Sequence, residues 1–313
     1  MRIFITGIAG FIGSSLARYF LKQDQFVSGI DNLFTGKRDN LPDSISWKFG
    51  DVGKKEDLND INGDFDVIIH LAAQSSGEKS FSFPEYDIQT NILGSLNIYN
   101  FARARKAKLL INISSMSVYG EVDSSTVVDE THITNPVSLY GITKLGAERM
   151  LELFSQKDQF PVVSLRLFSA YGPGQNLDEM AQGIVSIYLA YLLREDHILV
   201  KGALDRMRDL TNIEDIISCI TKIITSEKIK SGSYNLCTGK LTTVAEMISL
   251  LKKASKIEKP VISKGNTQGD IQGFCGSWQK LYRDYGWEPV INADQGITKM
   301  VNYYMESVKW KKN

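Results

Sequence analysis

The chain has 313 residues, 43% of them apolar and 23% charged, and a formal net charge of zero. That is the composition of a globular protein with room for one large domain or two modest ones. A zero balance gives no support to wholesale nucleic-acid binding, which draws on a basic surplus.

In chain order, Ile3–Thr6 is an apolar run that reads as a strand. Directly after it comes Gly7-Ile8-Ala9-Gly10-Phe11-Ile12-Gly13, which opens an amphipathic helix predicted over Phe11–Lys22. Between a strand and a helix, this glycine pattern means dinucleotide binding. Gly7 permits the tight turn, Gly10 lets backbone approach a pyrophosphate, and Gly13 lets the helix pack closely on the sheet. The helix start, with Phe11 and Ile12, presents free N–H groups to phosphate.

The second strand is predicted over Val27–Asp31. Asp31 sits where an acid can accept both adenosine ribose hydroxyls, with Asn32 beside it. Its charge repels a 2′-phosphate, so NAD is expected rather than NADP. Lys37 and Arg38 follow closely and can blunt that preference. A third strand over Ile45–Phe49 leads to Asp51 and Val52, which can meet the adenine, and to a short helix near Glu56–Ile61. The fourth strand, Val67–Leu71, ends in Leu71-Ala72-Ala73, small residues that allow a cofactor to come close.

A long helix is predicted over Asp87–Arg105 and a fifth strand over Leu109–Ser114. Strand ends of an open α/β sheet are where ligands bind. Ser114, Ser115 and Ser117 offer uncharged hydroxyls there, although by residue type alone the segment is equally a serine-rich turn. The next helix, Tyr140–Ser155, carries Tyr140 and Lys144 one turn apart on one face. A free phenol titrates near about 10 and is a poor base at neutral pH. A nearby ammonium and a cationic nicotinamide both favour phenolate, and together are expected to bring it towards neutrality.

A sixth strand, Val162–Leu167, closes the strand–helix alternation. After the turn-rich Tyr171-Gly172-Pro173-Gly174 come helices over Gln182–Leu193, Glu214–Thr225 and Val244–Ser255. Short strands are placed near Ile198–Val200, Asp209–Ile213 and Ser233–Leu236. The expected fold is α/β: a Rossmann-type doubly wound parallel sheet over residues 1–167, with a smaller α/β substrate-binding region over 168–313. The helix near 214–225 is expected to return to the first part. In the second part Arg208 can grip a diphosphate bidentately, or form a structural ion pair with Asp205 or Asp209.

Cys219, Cys237 and Cys275 are scattered, and His70, His132 and His197 lack ligand spacing. No disulfide framework or metal site is expected, and a reducing compartment fits. The first apolar run is already the glycine-motif strand, and Ile184–Leu193 is too short to span a bilayer. A cytoplasmic location without membrane contact is the expectation.

These motifs, in this order, resemble the extended short-chain dehydrogenase/reductases, most of all their nucleotide-sugar epimerase branch. The similarity also runs through His70-Leu71-Ala72-Ala73, Arg166-Leu167-Phe168, Tyr171-Gly172-Pro173-Gly174-Gln175, Arg208-Asp209 and Gly286-Trp287-Glu288-Pro289. It implies that Ser115 bonds the sugar 4-oxygen beside Tyr140, and that Lys144 grips the nicotinamide ribose. It also implies that Asn91 lies near the cofactor and that Arg208 holds the diphosphate. A homodimer through the helices at 87–105 and 140–155 is implied too. Three departures touch the substrate side. Met116 and Ser117 stand where sugar dehydratases of the family carry an Asp-Glu pair. Ser169 replaces a frequent Asn, and Thr267 replaces an arginine three residues before the retained Asp270.

The expected activity is NAD-dependent epimerisation at C4 of a nucleotide-diphosphate sugar through a transient 4-keto sugar. A one-way NAD(P)H-dependent reductase of 4-keto-6-deoxy nucleotide sugars uses the same Ser115, Tyr140 and Lys144. A dinucleotide sensor without turnover is the reading from another class, and it has no use for the base.

Overall fold

Seven strands pair in parallel into one sheet in the computed structural model, which describes residues 1–180, 183–265 and 271–310. They are β1 (Arg2–Thr6), β2 (Phe26–Asp31), β3 (Ser46–Phe49), β4 (Val67–His70), β5 (Leu109–Ser115), β6 (Val162–Leu167) and β7 (Gly232–Leu236). Their spatial order is β7-β6-β5-β4-β1-β2-β3. The order reverses between β1 and β4, which opens a crevice at their C-terminal ends. Parallel pairing exposes neither face, so both sets of alternating side chains are apolar. Ile3 and Ile5 point to one core with Leu16, Ala17 and Phe20, and Phe4 points to the other with Ile98, Phe101 and Leu151.

Helix α1 (Phe11–Lys22) covers the first face; α2 (Gly94–Ala104) and α3 (Leu139–Asp158) cover the second. The Ser138 hydroxyl caps α3 by accepting from the Gly141 N–H at 3.1 Å. The single helix expected over Asp87–Arg105 is instead a helix at Pro84–Ile88, a π-turn at Gln89–Leu93, and α2. The wider turn presents Thr90 to the crevice and leaves Asn91 buried behind it.

Beyond Leu167, Ser169–Tyr171, Met207–Asn212 and Leu241–Thr243 form a three-stranded sheet. A separate apolar core joins α4 (Ile184–Arg194), α6 (Val244–Ser255) and α7 (Ala293–Trp310). The expected start of α4 at Gln182 lies outside the described residues. One result moves the expected boundary at residue 167. β7 pairs with β6, and so extends the large sheet instead of belonging to the smaller region. Helix α5 (Ile213–Ile224) packs on α1 through Ile216, Ile220 and Ile223.

The C-terminal segment, unassigned in the sequence, wedges against the same core. Trp287 is 2% exposed and donates its indole N–H to the Ser218 hydroxyl at 2.9 Å. The Asp215 carboxylate accepts from the N–H groups of Val290 and Ile291, both at 3.1 Å. Trp287→Ala removes a buried ring from between α5 and the sheet. It should cost ~3–5 kcal/mol of unfolding free energy, read by urea titration; a loss below about 1 kcal/mol would show the segment to be peripheral.

Candidate active site

The ends of β1, β2, β4, β5 and β6 all open on one cleft of about 510 Å³. Its floor is the glycine loop. Gly7 has φ +67°, a conformation that favours glycine, and an added Cβ there would lie 2.8 Å from the Ala72 nitrogen. At Gly13 an added Cβ would lie 2.2 Å from the Gly7 oxygen, so α1 packs directly on the turn. No side chain caps α1, and Gly10, Phe11, Ile12 and Gly13 line the cleft. The unbonded N–H groups of a helix start attract phosphate oxygens.

Asp31 lines the cleft, 7% exposed, with its carboxylate accepting from the N–H groups of Ala9 and Leu33, both at 2.8 Å. The nearby cations point elsewhere. Lys37 is ion-paired with Asp178, and Arg38 lies over the Trp47 ring at 5.8 Å. Both cations thus have other partners in this structure.

Asn32, Val52, Leu71, Ala72 and Ala73 line the cleft. Asp51 does not: its carboxylate holds Asn32 at 2.8 Å and the Gly53 N–H at 2.8 Å, which supports that end of the cleft from behind. Asn91 also differs from expectation. It is 1% exposed, and its side chain clasps the Gln74 backbone N–H at 3.0 Å and carbonyl at 3.1 Å and reaches Thr143 at 3.0 Å. It is therefore a strut between the end of β4 and α3, one layer behind the cleft.

His70 belongs to the same layer. The Thr6 oxygen accepts from the N–H groups of Leu71 and Ala72, so its own proton goes to His70 Nδ1 at 2.7 Å. Nε2–H then donates to Ser95 at 3.1 Å, and Ser95 donates to the Asn91 carbonyl at 2.6 Å. Burial, with the Lys144 charge, pushes His70 down to about 3, so the ring is neutral.

Ser115, Tyr140 and Lys144 meet at the centre of the cleft. Ser115 lines the cleft with Tyr140, and its hydroxyl donates to the Ser117 hydroxyl at 3.1 Å. The approach is tight: an added Cβ at Gly141 would lie 2.6 Å from the Ser117 carbonyl. Lys144 is 5% exposed and lies one helical turn from Tyr140. Burial pushes it down to about 8, while Glu148 and Asp87 act to raise it. Burial pushes Tyr140 up to about 12, against the Ser115 hydrogen bond and with the Asp87 charge. In the protein alone, burial and the Asp87 charge thus outweigh the Ser115 contact and keep the group a phenol.

At the far end Ser169 and Arg208 line the cleft. Arg208 donates to the carbonyls of Met207 and Ile271 at 2.6 and 3.1 Å. The Asp209 carboxylate serves the backbone instead, accepting from the N–H groups of Thr238 and Gly239 at 2.8 and 2.9 Å. Asp270 and Thr267 lie outside the described residues. Among the described residues no His, Cys, Asp or Glu cluster could hold a metal, and no helix is long and apolar enough to cross a membrane.

Sequence reasoning missed Phe34, Tyr86, Glu179 and Thr90 in this cleft. Phe34 and Tyr86 pack at 4.7 Å and both line it. Glu179, on the segment beyond Tyr171, reaches Lys79 at 2.8 Å. The Ser114 and Thr90 hydroxyls are buried in the lining without a hydrogen-bond partner. Orphaned polar atoms beside a glycine cradle fit a polar dinucleotide.

A model of the NAD dependent epimerase/dehydratase family matches residues 3–237. The chain belongs to that family. UDP-glucose 4-epimerase of Thermotoga maritima, solved with UDP-glucose, is 30% identical with a TM-score of 0.93, covering 98% of this chain and 100% of that one. UDP-glucose 4-epimerase of Thermus thermophilus, solved with NAD, is 29% identical with a TM-score of 0.90, covering 97% and 99%. Protein CapI of Staphylococcus aureus is 29% identical over 338 residues, 99% of this chain and 100% of its own. The extended short-chain dehydrogenase/reductase resemblance thus stands, and with it NAD as cofactor.

For this NAD-dependent family member, the geometry gives a sharp expectation. In NAD-stripped protein Tyr140 stays a phenol, because its folded value lies near about 12. The tyrosinate absorbance gained between about pH 7 and about pH 9 should match that of Tyr140→Phe. Adding NAD should raise the signal of the wild type only. A Tyr140-dependent signal in stripped protein would overturn this electrostatic account.

Proposed function

We propose that the protein is an NAD-dependent epimerase acting at C4 of a nucleotide-diphosphate hexose. One observation carries the reading: Ser115, the Tyr140 phenol and Lys144 line one cleft together with a dinucleotide cradle and Arg208. The glycine loop would hold the pyrophosphate, and Asp31 the adenosine ribose. Arg208 and Ser169 would hold the sugar nucleotide. Ser115 would bond the 4-oxygen and keep it against Tyr140. Tyr140 would remove the 4-hydroxyl proton and later return it. Lys144 would favour the phenolate by its charge. Bound NAD supplies a hydride acceptor at C4 that can give the hydride back to either face of the 4-keto sugar. The turn beside Ser115 holds Met116 and Ser117, neither of them an acid or base suited to water elimination.

The relatives solved with UDP-glucose and with NAD support this class of substrate. A homodimer is part of the same reading. Ile88 and Leu93 are exposed on the 84–104 segment, and Ile142 and Leu153 are exposed on α3. Two adjacent helices with apolar outer stripes are suited to pack on a second copy. Ile142→Glu combined with Leu153→Glu should convert a dimer to monomer in sedimentation, and a monomeric wild type would remove the proposal.

The deciding experiment incubates the purified protein with UDP-, dTDP- and GDP-hexoses. Inversion at C4 is followed by NMR and NADH by absorbance. The expected protein retains NAD through purification, inverts at least one substrate without consuming NAD, and loses ~10²–10⁴ in kcat as Tyr140→Phe. Net consumption of NADH on a 4-keto sugar would assign the one-way reductase instead. Cellular function undiminished by Tyr140→Phe would assign a sensor.

A further inference from the structure

Behind the cleft lies a buried charged network none of whose residues lines it. Arg166 on β6 and Glu148 on α3 have side chains 3% and 1% exposed. Arg166 Nε lies 3.2 and 3.1 Å from the two Glu148 carboxylate oxygens, and Nη2 donates to Oε2 at 2.9 Å. Nη1 donates to the Tyr119 hydroxyl at 2.8 Å, and Tyr119 donates to Asn235 Oδ1 on β7 at 2.7 Å. Ser233 donates to Glu148 at 3.2 Å, and the Asn235 N–H to Glu130 at 2.7 Å. A guanidinium fork fixes direction as well as distance, which an ammonium cannot do.

The two ends of this fork lead to the two halves of the candidate active site. Tyr140, Lys144 and Glu148 follow at four-residue intervals on one face of α3. Tyr119 ends the short 3-10 turn Met116–Val118, whose N-cap is Ser115. Arg166 therefore ties the helix that carries the phenol to the turn that carries its hydroxyl partner. We propose that Arg166 and Glu148 are positioning residues, which set the placement of Tyr140 and Lys144 against Ser115 without touching substrate or cofactor.

Charge follows the same path. Lys144 lies one turn from Tyr140, feels the charges of Glu148 on its own helix and Asp87 on the Pro84–Ile88 helix, and acts on neutral His70 on β4. Glu148 and Asp87 both hold the ammonium up against its burial. Removing the Glu148 charge should therefore shift the Lys144 titration to lower pH.

The kinetic part of this inference rests on the proposed epimerase reading; the Lys144 titration does not. The test uses NAD-loaded Arg166→Met/Glu148→Gln, which removes both buried charges together. Removing one alone leaves an unpaired charge and is the disruptive change. Tyr119→Phe keeps the Arg166–Glu148 pair, removes the hydroxyl that joins Arg166 to the Ser115 turn and to Asn235, and guards against failure of the double variant to fold. Lys144 is followed by carbon-13 NMR of labelled lysines, with Lys144→Met as the assignment control. The double variant should keep its NAD and move the Lys144 midpoint down by at least about half a pH unit. On the wild-type substrate, kcat should fall at least about tenfold with KM within about twofold; Tyr119→Phe should show a smaller fall of the same kind. A folded variant with the wild-type Lys144 midpoint and kcat would overturn the proposal. So would a loss carried by KM or NAD content, which marks a merely structural role. A wild type that inverts no nucleotide sugar defeats the epimerase reading alone, and the Lys144 midpoint then decides for the pair.

Discussion

The approach of α1 to the turn after β1 sets every other distance in the cleft. A Cβ at Gly13 would sit 2.2 Å from the Gly7 oxygen, and one at Gly7 would sit 2.8 Å from the Ala72 nitrogen. Three backbones therefore converge without side chains between them. That contact opens the α1 N-terminus onto the crevice where the strand order reverses. On the proposed reading a pyrophosphate would sit on that start, and the rest of a dinucleotide would run towards the end of β5. Ser115 and Tyr140 stand there because β5 ends there and α3 is capped at Ser138.

Electrostatics in this cleft works against the reaction until a ligand arrives. Burial disfavours both ions that the chemistry needs, the phenolate and the ammonium, because each leaves water as it forms. Paired, they offset part of that cost, and a cationic ring beside the phenol offsets more. On the proposed reading the base would thus be assembled by binding and would not stand free in empty protein. An enzyme arranged this way keeps its phenol protonated while the site is empty, and becomes basic only where a hydride acceptor stands ready.

Much of this was legible in sequence because it is local. The Gly7–Gly13 pattern, Asp31 at a strand end, and Tyr140 four residues before Lys144 are read from spacing that a strand or helix turns directly into geometry. What failed was long-range or directional. Asp51 and Asn91 lie next to the cleft, but their side chains turn away to hold Asn32 and Gln74. The strand Gly232–Leu236 was recognised as a strand, yet its partner lies about seventy residues earlier, and no local period announces that pairing. The π-turn at Gln89–Leu93 breaks a pattern that reads as one continuous helix. Phe34 and Tyr86 are ordinary aromatics until the fold brings them together.

The two sides of the catalytic helix show why those failures fall where they do. On the inner side, Arg166, Glu148, Tyr119, Asn235 and Ser233 bond one another, and Thr6, His70, Ser95 and Asn91 form an ordered chain. Buried polar groups are tolerated when satisfied, and a satisfied network admits one arrangement only. On the cleft side, Ser114 and Thr90 remain without partners, and the first N–H groups of α1 face open space. Incomplete bonding there is a standing cost that a ligand relieves. Rigidity behind and unmet bonding in front are thus two parts of one device. The inner network keeps the cleft from collapsing onto its own orphaned groups, and so leaves them for the dinucleotide.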